Sequence, residues 1–151
     1  MIKDAYELTA SEALALFASG KLTSVELVKS CLEQITATDE NIRAWVYLDP
    51  NAVIAQAEEC DRIRKAGLAT GPLHGIPVGL KDIIDTADMP TGRGTPIFKG
   101  RRTEGDARLV ELLREAGAVI MGKTITTELA FVHANETRNP HNPAHTPGGS
   151  S

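Results

Sequence analysis

The sequence lacks the features that would place it in several common classes. Its 151 residues include only two cysteines, Cys31 and Cys60. One disulfide is allowed by count, but both thiols fall on apolar positions of expected helices. Small buried thiols in a reducing compartment are therefore the expected state. No uninterrupted apolar run approaches the ~20 residues that a membrane helix needs. The opening Met-Ile-Lys-Asp-Ala-Tyr-Glu has no basic region followed by an apolar stretch. Neither a membrane association nor a signal peptide is expected, and a cytoplasmic location is. Charge of one sign is not in large excess: the net charge is -4 and the sequence pI about 5.6. That balance argues against a polyanion-binding surface and against nucleic acid as a partner.

Several chemical signatures are also missing. No carboxylate pair stands out for acid–base work, and no internal repeat or inter-domain linker is visible. Gly92-Arg93-Gly94 is a fragment of a glycine loop without the strand–turn–helix context of a nucleotide site. His141 and His145 stand four apart, but Pro143 lies between them and no helix supports the pair. No metal and no cofactor is expected. His74 and His133 stand alone and read as structural or exposed. Arg101 and Arg102 read as a solvated edge.

What is present describes an ordinary folded chain. Hydrophobic residues make up 42% and charged residues 24%, enough for one domain with a real core. Thr9 precedes Glu12 by three residues and Thr23 precedes Glu26 by three, both capping-box patterns that start helices. Gly20 stands where the first helix should stop. Val28, Cys31, Leu32 and Ile35 form a helical stripe on the second. A β-like run from Ala44 to Leu48 is closed by Asp49-Pro50, and a helix from about Ala52 to Lys65 follows, with Gly67 past its end.

From Gly71 the character changes. Ile76 to Leu80 reads as a short buried strand ending at Lys81, and Asp88 to Gly105 as a long irregular loop of the kind that is usually functional. Leu109, Leu112, Leu113 and Ala116 line one helix face, Gly117 ends that helix, and Ala118 to Met121 is a buried strand. Strand, helix and strand with a crossover predict a parallel or mixed sheet. Parallel sheets want both faces covered, so a continuation beyond Ser151 is expected.

Two places could carry chemistry. Lys81 ends an apolar run, and a lysine is almost never fully buried without a partner. Desolvation favours the neutral amine, which makes a lysine in such a place a candidate general base. The alternative is a solvated strand end, with Lys81 paired to Asp82. Gly148-Gly149-Ser150-Ser151 could hold a serine in a tight catalytic turn, because two glycines allow close approach and unusual backbone angles. A plain flexible linker has the same composition.

Taken in order, these segments resemble the amidase-signature family. The resemblance rests on Gly75-Ile76-Pro77-Val78-Gly79-Leu80-Lys81-Asp82, Asp106 opening the next helix, Gly117-Ala118-Val119-Ile120-Met121-Gly122-Lys123-Thr124, Arg138-Asn139-Pro140-His141-Asn142-Pro143 and Thr146-Pro147-Gly148-Gly149-Ser150-Ser151. It implies an α/β fold, a mixed β-sheet core flanked by helices and preceded by a helical segment. Residues 1–151 would be the N-terminal part of one such domain, with about 1–70 mainly helical and 71–151 the start of the catalytic core. It also implies a Ser–cis-Ser–Lys triad for hydrolysing a linear amide to a carboxylate and ammonia or an amine. Lys81 matches the catalytic lysine and Ser150 the bridging serine, with Gly149 and Ser151 as the supporting turn. The peptide bond before Ser150 is implied to be cis, at a cost of ~3–4 kcal/mol that the surroundings must impose.

The family's nucleophile and oxyanion segment lie downstream, so the nucleophile is absent from this chain and residues 1–151 alone are expected to be inactive. Ser151 is given no such role by the resemblance. A near relative within the family is the amidase component of tRNA-dependent amidotransferases, which usually carries Asn-Met-Asp-Glu after the Gly-Lys-Thr element. Ile125-Thr126-Thr127-Glu128 stands there instead, which leans toward a stand-alone amidase. The implied partner is a small-molecule amide, and a homo-oligomer is compatible with the sequence. A non-catalytic interaction module is the competing reading. A nucleotide-binding α/β domain is disfavoured by the incomplete phosphate loop.

Overall fold

Helix starts that the sequence spells out locally fold as spelled. The computed structural model describes residues 4–151, so the signal-peptide reading falls partly on residues 1–3, outside the described residues. Thr9 caps helix α1 (Ala10–Ala18): its hydroxyl accepts from the Glu12 N–H at 3.3 Å, and the Glu12 carboxylate accepts from the Thr9 N–H at 2.8 Å. Gly20 then takes a φ of 69°, and the Lys21 N–H turns back to the Leu16 carbonyl. Thr23 and Glu26 repeat the reciprocal arrangement, at 2.8 and 3.1 Å, at the start of α2 (Ser24–Ile42). Asp49-Pro50, expected to close a strand, instead begins α3 (Pro50–Lys65). The Asp49 carboxylate accepts from the N–H groups of Asn51 and Ala52, and Pro50 occupies the first turn, where its missing N–H costs nothing. No helix among the described residues is long and apolar enough to cross a membrane.

The chain divides into two compact units interleaved along the sequence. The first comprises residues up to Thr36, Asp49–Val78 and Leu112–Met121. Its core joins Ala5, Ala13, Phe17, Leu22, Leu27 and Ile76. Beside that core, the buried Asp61 carboxylate of α3 accepts from the N–H groups of Ser24 (2.8 Å) and Val25 (3.1 Å), so α3 caps α2. Arg64 pairs with Asp61 at 2.6 Å and lies over the Phe17 ring. His74 is buried with its Nε2 against the Cys60 carbonyl at 2.8 Å, a structural histidine. Cys31 and Cys60 are both free thiols, and burial pushes both pKa values up.

The second unit comprises Ala37–Leu48, Gly79–Glu111 and Gly122–Ser151. The sheet has the order β1-β3-β2, with β1 Trp45–Leu48, β2 Pro77–Lys81 and β3 Val119–Thr124. Strand β1 runs antiparallel to β3, with Tyr47 opposite Lys123 and Leu48 opposite Gly122. Along β2 and β3 the bonds advance in the same sense, from Val119 N–H to the Ile76 carbonyl and from Asp82 N–H to the Thr124 carbonyl. The two are therefore parallel, joined through α4 (Arg108–Glu115), and the sheet is mixed as expected.

Two expected burial patterns change. Strand β2 lies at the sheet edge, and only Leu80 within it is buried, whereas central β3 is buried from Val119 to Lys123. On α4 the buried residue is Val110, which shares a face with Leu113, while Leu109 and Leu112 are about half exposed. An eight-residue helix gives too few turns for its sequence to fix which apolar stripe faces inward.

Gly122 meets the β1 backbone closely. A Cβ there would lie 2.2 Å from the Tyr47 carbonyl oxygen. Gly122→Ala is expected to force β1 away and to cost about 1–3 kcal/mol. Urea unfolding followed by the fluorescence of Trp45, the single tryptophan, checks it.

Candidate active site

The parallel pairing of β2 with β3 decides what meets at their ends. Lys81 closes β2, and the Asp82 N–H bonded to Thr124 sets the end of β3 beside it. The chain then runs on through Ile125 to Thr126 and Thr127. There the Thr126 hydroxyl (2.6 Å) and the Thr127 N–H (3.1 Å) both donate to the carbonyl of Ser150. This clamp brings Ser150 to Lys81, and the Lys81 Nζ donates to the Ser150 Oγ across 69 positions of sequence. Both side chains are half-buried.

Gly148 and Gly149 precede Ser150 with φ values of 79° and 68°, angles that suit glycine. No peptide bond among the described residues is cis, so the bond before Ser150 is trans, contrary to what the resemblance implies. No heavy atom stands within 4 Å of where a Cβ would be on Gly148 or Gly149. Ser151 is exposed and, with Gly148, Gly149, Ile125 and Thr126, lines a small cleft of about 100 Å³.

Asp82 does not take up Lys81 as a solvated strand end would suggest. It is buried, and its carboxylate accepts from the Gly92 N–H at 3.0 and 3.1 Å, while its carbonyl accepts from the Arg93 N–H. Gly94, with a φ of 68°, approaches the carbonyls of Thr126 and Thr127 so closely that a Cβ would stand 2.7 Å from each oxygen. The expected long loop thus has a fixed course, broken only by a short turn of 3₁₀ helix at Pro96–Phe98. It bounds a cleft of about 540 Å³, whose walls include Tyr47, Asp82, Gly92, Thr95 and Thr126.

Arg102 is exposed, as the expected solvated edge implies, but Arg101 is only partly so. Its guanidinium grips Asp85 at 2.8 and 3.3 Å, while Arg102 donates to the Asp88 carbonyl. The Arg101 hydrogen bonds hold the Asp85 carboxyl below the usual carboxylate range. A folded-state pKa below the unfolded one stabilises the fold above the unfolded carboxylate pKa, and that contribution disappears as pH falls through the folded value. Stability measured from neutral pH down through roughly pH 4 and below should therefore fall less steeply in Asp85→Asn than in the parent.

The sequence reading does not single out Lys123. Its side chain is fully buried, and its Nζ donates to the Ile84 carbonyl at 2.5 Å and to the Thr91 hydroxyl at 2.7 Å. Burial pushes its pKa down, opposed by Asp82, Asp85, Asp88 and Asp106. The available signal is the one that marks Lys81, a lysine closing an apolar strand. Thr126, the clamp on Ser150, has no comparable signal. Among the described residues no group of three or more His, Cys, Asp or Glu is placed to hold a metal ion, and His141 and His145 are exposed.

Comparison with known proteins places the chain in a family. The amidase family matches over residues 26–151. A glutamyl-tRNA(Gln) amidotransferase component from Chloroflexus aurantiacus is 41% identical over 152 residues, 97% of this chain and 31% of the relative. Native peptide amidase from Stenotrophomonas maltophilia superposes with a TM-score of 0.87 at 38% identity, over 97% of this chain and 33% of its own. A chain from a vestigial protein complex that reveals the origins of an s-triazine catabolic enzyme gives 0.88 at 31% identity, over 95% of this chain and 33% of its own. This chain spans about 31% of the length of the curated relative. With the family matched over most of its length and its backbone shared with solved amidases, the chain belongs to the amidase family.

Proposed function

We propose that residues 1–151 form the N-terminal part of one amidase-signature domain and supply the base and the relay of a serine amidohydrolase. The observation that carries this reading is the hydrogen bond from the Lys81 Nζ to the Ser150 Oγ. In the proposed reaction a nucleophilic serine from the remainder of the domain passes its proton to the Ser150 Oγ. Ser150 passes its own proton to the amine of Lys81. The nucleophile's oxygen bonds to the amide carbonyl carbon, and the relay run in reverse protonates the departing nitrogen. Water then cleaves the acyl-enzyme to the carboxylate. The substrate is a small linear amide, and the products are a carboxylate with ammonia or an amine. A cytoplasmic location suits the two free thiols.

The 41% identity to an amidotransferase component favours a second reading, in which the same machinery releases ammonia within a tRNA-dependent complex. Against it stands Ile125-Thr126-Thr127-Glu128, which departs from the pattern those components usually carry.

The test joins residues 1–151 in frame to the nucleophile-bearing remainder of the peptide amidase. Residues 1–151 alone should release no ammonia from a simple peptide amide, and the joined protein should. Turnover by residues 1–151 alone would overturn the need for a downstream nucleophile. Turnover only in the presence of an aminoacylated tRNA and partner proteins would select the second reading.

A further inference from the structure

We infer that Lys123 is a positioning residue: its buried ammonium ties down the segment that leaves Lys81 and so fixes where the Lys81 amine stands. The inference rests on the reading of Lys81 as the base. Burying a lysine is costly unless its ammonium finds acceptors. The two acceptors here, the Ile84 carbonyl and the Thr91 hydroxyl, belong to the two limbs of one excursion of the chain that begins directly after Lys81. On the near limb, the Ile84 N–H donates back to the Lys81 carbonyl at 3.0 Å, so the residue whose carbonyl Lys123 holds also closes a turn on Lys81 itself. On the far limb, Thr91 is fully buried and precedes Gly92, whose N–H is held by Asp82. The ammonium and the Asp82 carboxylate are thus two clasps across the same excursion, one cationic and one anionic. Methionine would fill nearly the same volume as the lysine but could tie neither limb.

The experiment uses the full 151-residue chain and reads Lys81 directly. Competitive acetylation with acetic anhydride, followed by mass spectrometry, gives the reactivity of the Lys81 amine across pH. Hydrogen exchange gives the local opening at Ile84, Gly92 and Arg93. In Lys123→Met, exchange at these amides should quicken about tenfold and the Lys81 acetylation profile should shift. Val28→Ala, a fully buried core truncation, serves as the control for general destabilisation and should leave the Lys81 profile unchanged. Thr91→Val removes one acceptor together with the direct bond from the Thr91 hydroxyl to the Ile84 carbonyl at 3.4 Å. It should give the same signature, and an unmoved Lys81 profile in it decides against the inference if Lys123→Met does not fold. If the lysine variant, or in its place the threonine variant, moves Lys81 acetylation and loop exchange no more than Val28→Ala does, Lys123 merely packs and the inference is wrong. No turnover enters these readings, so an inactive joined protein would sink the amidase reading and leave the positioning role standing.

Discussion

Lys81→Met in the joined enzyme is expected to lower kcat/KM for a simple amide by about 10²–10⁴-fold, the range spanned by a general base. Ser150→Ala should cost a similar factor, because without its hydroxyl the proton has no route from the nucleophile to the lysine. The double replacement should be little worse than either single one, since residues that act as one relay are strongly non-additive. Full activity in Lys81→Met would remove the lysine from the mechanism, and multiplied effects in the double variant would show two independent contributions. The structure explains why the pair should act as a unit. The Lys81 amine bonds to the Ser150 hydroxyl, and the Ser150 carbonyl is anchored by Thr126 and Thr127.

The second large effect concerns stability. Asp61→Ala is expected to lower the unfolding free energy by about 2–4 kcal/mol, because three partners lose a buried charge at once. Ser24 and Val25 would be left with unsatisfied amides at the start of α2, and Arg64 would lose its ion pair. Little relaxation is available nearby. A Cβ on Gly75 would stand 2.0 Å from the Ser24 hydroxyl and 2.9 Å from Arg64, so the cluster is closely packed. Urea titration of Asp61→Ala and Asp61→Asn measures the effect, with the asparagine variant falling between the alanine variant and the parent. A loss under about 0.5 kcal/mol in the alanine variant would show that the cap contributes no more than a surface substitution.

These two sites differ in how far the sequence reveals them, and the difference follows the range of the interactions. The capping boxes at Thr9 and Thr23 are legible because both partners lie within one turn of helix. The Asp61 cap on α2 comes from 37 positions away and leaves no local trace. Asp49-Pro50 is ambiguous on its face, since the same dipeptide can end a strand or begin a helix, and the apolar residues after it decide. The strands and the crossover helix follow from hydrophobic pattern, but β2's place at the sheet edge does not, because an isolated apolar run does not name its neighbours. Lys81 with Ser150 emerges from the resemblance and not from spacing. The Lys123 clasp lies beyond both, since it depends on what surrounds the residue in three dimensions.

The interleaving of the two units also sets an order in time. Each is stitched from three separate stretches, and the last stretch of the first is Leu112–Met121. As the chain leaves the ribosome, its first hundred residues hold α1, α2 and α3 but neither finished unit. Helices can flicker into being early, yet the long-range closures that make them permanent must wait for the sequence near Met121. A nascent chain halted before α4 would therefore lack the closing stretch of the first unit and would expose apolar faces to chaperones instead of presenting a folded piece.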